Sequence, residues 1–164
     1  MIQGGNDVSN EELLKLYDQY SEHVFRLACS FLGSPVDAED MVQDVFLKVY
    51  EKQCNIDKGK EKAFLLKVTA NCCRDYLKQA NRRRVLAYDD MENELYYESL
   101  SSKESELLQA VMNLPRKYRI VIHLHYYEGY TFKEIAHILH LSPSAVSMRI
   151  HRGREELKRI SREV

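Results

Sequence analysis

The segment Thr131 to Leu157, TFKEIAHILHLSPSAVSMRIHRGREEL, restricts the fold more than any other stretch of the chain. Thr131 and Glu134 have the spacing of a capping box, in which hydroxyl and carboxylate each answer a backbone N–H left open at a helix start. Ile135, Ala136 and Leu139 follow at helical spacing and predict a short helix. Ser142 then offers a second N-cap, and Pro143 at the first helical position has a fixed φ and lacks an N–H that would go unused there. The second helix is expected to reach about Arg162, with Val146, Ile150 and Leu157 on one face to pack on Ile135, Ala136 and Leu139. Short helix, tight turn and second helix make a helix-turn-helix.

That packing fixes the opposite face of the second helix. It holds Ser144, Ser147, Met148, His151 and Arg152, with Arg154 and Lys158 further along, so hydrogen-bond donors line a rod that the major groove of DNA admits. Arg152 is predicted to contact guanine in bidentate fashion, while Arg149, Arg154 and Lys158 neutralise phosphates. A surface helix with a merely solvated charged face is the alternative; turn, caps and basic face together favour DNA.

The remaining sequence shows helical periods and no β-type alternation, while residues 85–101 lack an apolar period, so the fold class is all-α. Ser9 and Glu12 form another capping box ahead of Leu13, Leu16, Tyr17, Tyr20, Val24, Leu27, Ala28 and Phe31, which predicts a helix over about 10–32. Gly33-Ser34-Pro35 breaks it. The acids Asp37, Glu39 and Asp40 then suit the positive end of a second helix, which turns Ala38, Met41, Val42, Val45 and Val49 inward and runs to about Lys52. A polar turn from Cys54 to Lys60 precedes a third helix of about 61–81, with Phe64, Leu65, Val68, Cys72 and Tyr76 as packing positions. A further helix begins near Ser102, and another starts with Pro115 at its first position and ends at Glu128-Gly129. The expected organisation is two small helical domains, 6–84 and 102–164, joined by an acidic linker at 85–101.

Charge supports the nucleic-acid reading once it is taken by segment. The net charge of the 164 residues is -1, but residues 67–84 carry Lys67, Arg74, Lys78, Arg82, Arg83 and Arg84 against Asp75 alone. Residues 85–106 reverse the sign with seven acids against Lys103, and residues 147–162 return to six Arg or Lys against Glu155 and Glu156. Other chemistries lack their materials. Cys29, Cys54, Cys72 and Cys73 lack zinc-site pairing, His123 and His125 point to different helix faces, and His137 and His140 have no acid or thiol partner nearby in sequence. No metal, cofactor or small-molecule substrate is expected, nor an enzyme: there is no Gly-rich phosphate loop and no nucleophile motif. With no apolar run of membrane-spanning length and a polar, acidic start, the chain is expected to be cytoplasmic.

Asp37-Ala-Glu-Asp-Met-Val-Gln-Asp-Val-Phe-Leu-Lys-Val-Tyr50 resembles the polymerase-binding helix of the extracytoplasmic-function group of bacterial RNA polymerase sigma factors, whose pattern reads D-A-E-D-hydrophobic-V-Q-[ED]-x-F. Leu114-Pro115 through Leu157 resembles that family's C-terminal domain, so the likeness spans nearly the whole chain. The resemblance implies that the second helix docks on the β′ clamp of core RNA polymerase through Asp40, Gln43, Asp44, Leu47 and Lys48, with the β flap as a further polymerase contact. It implies that the third helix and the loop before it hold the minus-10 promoter element, here through Lys58, Lys60, Phe64, Asn71, Arg74 and Lys78, with Arg82, Arg83 and Arg84 free to neutralise phosphates. Phe64 stands where the family usually has tryptophan, and the loop from Cys54 to Lys60 departs from the aromatic-rich pattern. The helix-turn-helix falls on positions that read the minus-35 element, the acidic linker on a segment that threads into polymerase, and an anti-sigma factor joins promoter DNA and polymerase as an implied partner. A stand-alone helix-turn-helix regulator binding a palindromic duplex is the competing reading.

Overall fold

Helix α1 (Asn10–Leu32) begins at the predicted cap: Ser9 Oγ accepts from Glu12 N at 3.2 Å and Glu12 Oε2 accepts from Ser9 N at 3.1 Å. It ends at Gly33, whose φ of 67° is the left-handed conformation that lets its N–H close on Cys29 O at 2.8 Å. Ser34 caps α2 (Pro35–Glu51), and α3 (Glu61–Arg84) follows the loop, somewhat longer than its apolar period predicts. This computed structural model describes residues 8–84 and 102–162, so the predicted acidic linker, and the side chains of Arg83 and Arg84, lie outside the described residues. The second unit comprises α4 (Ser102–Met112), α5 (Arg116–Ile122), α6 (Phe132–Leu139) and α7 (Pro143–Arg162). Among the described residues there is no strand.

Val24, Leu27, Ala28 and Phe31 of α1 meet Ala38, Met41, Val42, Val45 and Val49 of α2 in a buried core, as their spacing predicts, and Phe46 joins them. The stripe expected for α3 needs correction. Leu65, Leu66, Thr69, Ala70 and Cys73 are the buried positions, whereas Phe64, Val68 and Cys72 are half-buried and Tyr76 is 42% exposed. The predicted stripe is rotated by about one residue. Thr69 fits the dry face because its hydroxyl donates to Leu65 O at 2.7 Å, leaving no unpaired polar group. Phe64 and Val68 do pack, but against the second unit, where they line a cleft with Ile138 of α6.

Pro115 is the N-cap of α5 rather than its first helical residue, with φ -50° and ψ 138°. Helix α5 then widens into a π turn over His123–Tyr127, closed by Glu128 N–H on His123 O at 3.1 Å; sequence periodicity gave no hint of it. Thr131 and Glu134 form the predicted capping box on α6, and Ser142 Oγ accepts from Ala145 N at 3.1 Å at the head of α7. Ile135, Ala136, Ile138 and Leu139 of α6 pack with Val146 and Ile150 of α7, and Leu157 is half-buried. Gly153, buried on α7, lets that helix approach α5: a Cβ there would sit 3.0 Å from Ile122 Cγ1 and 3.3 Å from Tyr118 Cβ.

The two units meet along α3 and α6, and at helix ends as well. No basic residue stands in the last turn of α1, whose final carbonyls have no intrahelical partner. Two arginines from the second unit supply what is missing: Arg116 Nε donates to Phe31 O at 2.6 Å and the buried Arg119 Nε to Ser30 O at 2.7 Å. In return Arg74 of α3 donates to Leu139 O, at the C-terminus of α6. Each unit caps a helix of the other with guanidinium, where the dipole favours positive charge.

Candidate nucleic-acid interface

On α7 the face opposite the buried Val146 and Ile150 is open. Ser144, Ser147, His151, Arg152, Arg154 and Lys158 are exposed and Met148 is 52% exposed, so these donors stand together along the helix that follows the turn. His151 Nε2 lies 3.2 Å from Glu155 Oε1, one turn along. Arg149 differs: it is half-buried and lines a recess between the units with Arg74, Arg116, Lys117 and apolar Phe31, Leu77, Ile120 and Leu139. Burial lowers the pKa of the Arg74 guanidinium, and the charge of Arg149 adds to the effect.

The residues assigned to the minus-10 element split into two groups. Lys58 and Lys60 on the loop, and Lys78 further along α3, are exposed. Phe64, Asn71 and Arg74 are half-buried. Phe64 and Asn71 face α6 across a cleft of about 710 Å³, whose other wall includes Tyr130, Lys133 and His137. Lys67 bridges this cleft, its Nζ 3.3 Å from His137 Nε2. The chemistry is that of a single-strand platform, cations beside an aromatic and an amide, with the second unit standing opposite it.

On α2, Asp40, Gln43, Asp44 and Leu47 form the expected exposed stripe, with Leu47 54% exposed. Lys48 departs from it: half-buried, it places Nζ 3.8 Å from Cys72 Sγ on α3. Cys29 and Cys73 are buried, and Cys72 is half-buried. Burial pushes Cys29 up to about 12 and raises Cys72 and Cys73 as well. No cluster able to hold a metal ion is found among the described residues, and none of their helices is long and apolar enough to cross a membrane.

Sequence reasoning missed the polar knot between the units. Glu128, whose side chain is 1% exposed, receives Lys62 Nζ at 2.8 Å and His23 Nδ1 at 3.0 Å, from α3 and α1 respectively. His123 Nε2 lies 3.6 Å from Glu128 Oε1, too long for a hydrogen bond, and has no nearer acceptor among the described residues. Burial would raise the carboxyl pKa, but His123, Lys62 and His23 outweigh it and hold Glu128 at about 2. Beside it burial raises the Tyr130 phenol to about 12, Glu128 and Glu134 adding to that, and Lys62 Nζ sits 5.2 Å from the ring centroid. No local signal exists for such a cluster, because its members lie 66 and 105 residues apart in sequence.

Known proteins resemble the chain on both sides of this seam. The family described as Sigma-70 region 2 matches residues 16–83, and Sigma-70, region 4 matches residues 104–157. The RNA polymerase sigma factor CarQ of Myxococcus xanthus is 31% identical over 165 residues, covering 96% of this chain and 94% of its own. The ECF RNA polymerase sigma factor SigE of Mycolicibacterium smegmatis is 30% identical over 88% of this chain, which spans 59% of that relative's length. In fold, the chain is similar to the sigma factor RpoE solved in complex with the anti-sigma factor NepR from Bartonella quintana, with a TM-score of 0.71, 20% identity, and coverage of 93% of this chain and 98% of that one.

Proposed function

Because the chain belongs to the extracytoplasmic-function group of RNA polymerase sigma factors, we propose that it divides promoter recognition among the three surfaces just described. The α2 stripe of Asp40, Gln43, Asp44 and Leu47 docks on the β′ clamp of core polymerase, with Lys48 at its edge. The loop at 54–60 and α3 take the minus-10 element: Asn71 and Phe64 face the unpaired strand, while Lys58, Lys60, Arg74 and Lys78 neutralise its phosphates. Helix α7 enters the major groove at minus-35, with Arg152 and the residues around it reading base edges and Arg149, Arg154 and Lys158 positioning the backbone.

The observation that carries this reading is the coexistence, on one chain, of an exposed acidic-polar stripe on α2 and an exposed donor face on α7. The first domain, 6–84, serves polymerase and minus-10; the second, 102–164, serves minus-35 and the β flap; the acidic 85–101 segment connects them. The chain acts in the cytoplasm, contributes recognition and strand opening rather than catalysis, and counts an anti-sigma factor among its partners, as a structural neighbour solved with NepR suggests.

The test is capture of purified core RNA polymerase by this protein, followed by transcription of a genomic fragment library in the same mixture. Stoichiometric capture with initiation from a shared two-element promoter is expected. Tight binding to a palindromic duplex without polymerase capture would instead make the protein a stand-alone helix-turn-helix regulator.

A further inference from the structure

Glu128 belongs to none of the surfaces assigned above, yet it is the most heavily partnered carboxylate among the described residues. It ends the π turn of the second unit, and its partners Lys62 and His23 both come from the first. Lys62 also reaches Glu128 O at 3.4 Å and packs over Tyr130 of the second unit. Two residues further on, Phe64 begins the row Phe64, Lys67, Asn71 and Arg74, each of which faces or bonds the second unit. The knot therefore fixes α6 across the face of α3.

We propose that Glu128 is the clasp of an autoinhibitory contact that holds the helix-turn-helix unit over the Phe64–Asn71 face of α3, so that the closed chain cannot take single-stranded DNA there. The inference rests on the reading of α3 as the minus-10 surface. It has a directional corollary, because Asp40, Gln43, Asp44 and Leu47 stay exposed in the closed chain: polymerase has access while single-stranded DNA does not. The seam is also of a kind that can open. Its polar cross-links are three arginine caps on helix-end carbonyls and the ion pairs of Glu128, groups that water can satisfy once the units part.

A ligand that binds only the open chain is weakened by the fraction of molecules that are open. If the clasp keeps that fraction near one in ten, releasing it strengthens single-strand binding about tenfold. Two variants release it from opposite sides: E128Q removes the charge from the second unit, and K62M removes the partner from the first without altering the second. The assay uses the full chain without polymerase. Small-angle scattering reports the radius of gyration, and fluorescence anisotropy reports binding of a labelled random-sequence single-stranded DNA of about 12 nucleotides, within the span such sites cover. Far-UV circular dichroism checks the fold, and K62M carries the test if E128Q does not fold.

The expected result is an expanded chain with roughly tenfold tighter single-strand binding in a folded variant, lost again on adding N71A. An unchanged radius overturns the clasp. Expansion without gain in binding overturns the occlusion. A gain that survives N71A overturns it too, since the uncovered surface would not be the α3 face. Polymerase capture is measured alongside on the wild-type chain, so failure of the sigma reading appears there, independently of the clasp.

Discussion

Gly153 leaves little room between α5 and α7, and the sign of a substitution there follows from two opposed magnitudes. Alanine in a helix interior is favoured over glycine by about 1 kcal/mol. Its Cβ, however, would sit 3.0 Å from Ile122 Cγ1, 3.3 Å from Ile122 Cδ1 and 3.3 Å from Tyr118 Cβ, against the roughly 3.5–4.0 Å of a relaxed carbon pair. Tyr118 Cβ is bonded to the α5 backbone and Ile122 Cγ1 branches from a Cβ, so relief requires α5 and α7 to separate. Overpacking of this kind costs about 1–3 kcal/mol. The strain wins, and Gly153→Ala is expected to lose about 1 kcal/mol, a fall in Tm of roughly 2–4 °C for a chain of this size. Gly153→Val adds two methyls with less gain in propensity and is expected to lose about 3 kcal/mol. A double-mutant cycle isolates the contact: Ile122→Ala removes both close Ile122 atoms, so Gly153→Ala should cost less in that background, with a coupling of about 1 kcal/mol. Thermal unfolding followed by circular dichroism measures all four corners. A rise in Tm for Gly153→Ala, or a cycle with no coupling, would show that the helices are not in tight contact and refute the packing argument.

Other expectations concern charge and access. Glu128 is depressed from 4.5 to about 2 in the folded chain, so its contribution is complete above the unfolded value and disappears as pH falls through the folded one. The stability difference between wild type and E128Q, measured by urea unfolding, should therefore shrink between about pH 4.5 and 2; a difference that does not fall across that window would contradict the assignment. Arg152→Ala is expected to relax promoter preference mainly at one base pair of the upstream element, by about 1–3 kcal/mol, in transcription from a randomised promoter library. Asp44→Arg should weaken capture of core polymerase with an unchanged circular dichroism spectrum, and normal capture would displace the clamp contact from this part of α2. In the folded chain, alkylation by iodoacetamide should spare Cys29 and Cys73, both buried with raised pKa, and mass spectrometry of fast labelling at either would contradict their packing.

What could be foreseen depended on whether the signal was local. Ser9–Glu12 and Thr131–Glu134 each carry both halves of a reciprocal cap within one turn, so those helix starts were legible to the residue, as was the launch of α7 from Ser142 and Pro143. The exposed donors of α7 and the α2 stripe were equally readable, because burying one side of an amphipathic helix determines the other. Helix α3 was harder. Both of its sides pack, one on α1 and α2 and the other across the cleft from α6, so apolar residues recur around the cylinder and no single stripe stands out. Periodicity picked Phe64, Val68 and Cys72, which meet the second unit or lie at the margin, over Leu66, Ala70 and Cys73. The seam itself was invisible. Nothing in the local sequence singles out Arg116, Arg119 or Glu128, whose partners Phe31 O, Ser30 O and Lys62 arrive from α1 and α3.

The π turn at His123–Tyr127 has a consequence for angular phase. Such a turn accommodates one residue more than an α turn, and a single residue advances a helix by about 100°. Everything after the turn is therefore clocked round relative to a continued α5, beginning with Glu128, the residue that closes it. Deleting one residue between His123 and Tyr127 would leave the composition and length of the second unit almost untouched, yet would swing the carboxylate away from Lys62 and His23. The orientation in which one unit meets the other is thus set by the count of residues in a single turn, a quantity that substitution cannot change and insertion or deletion can.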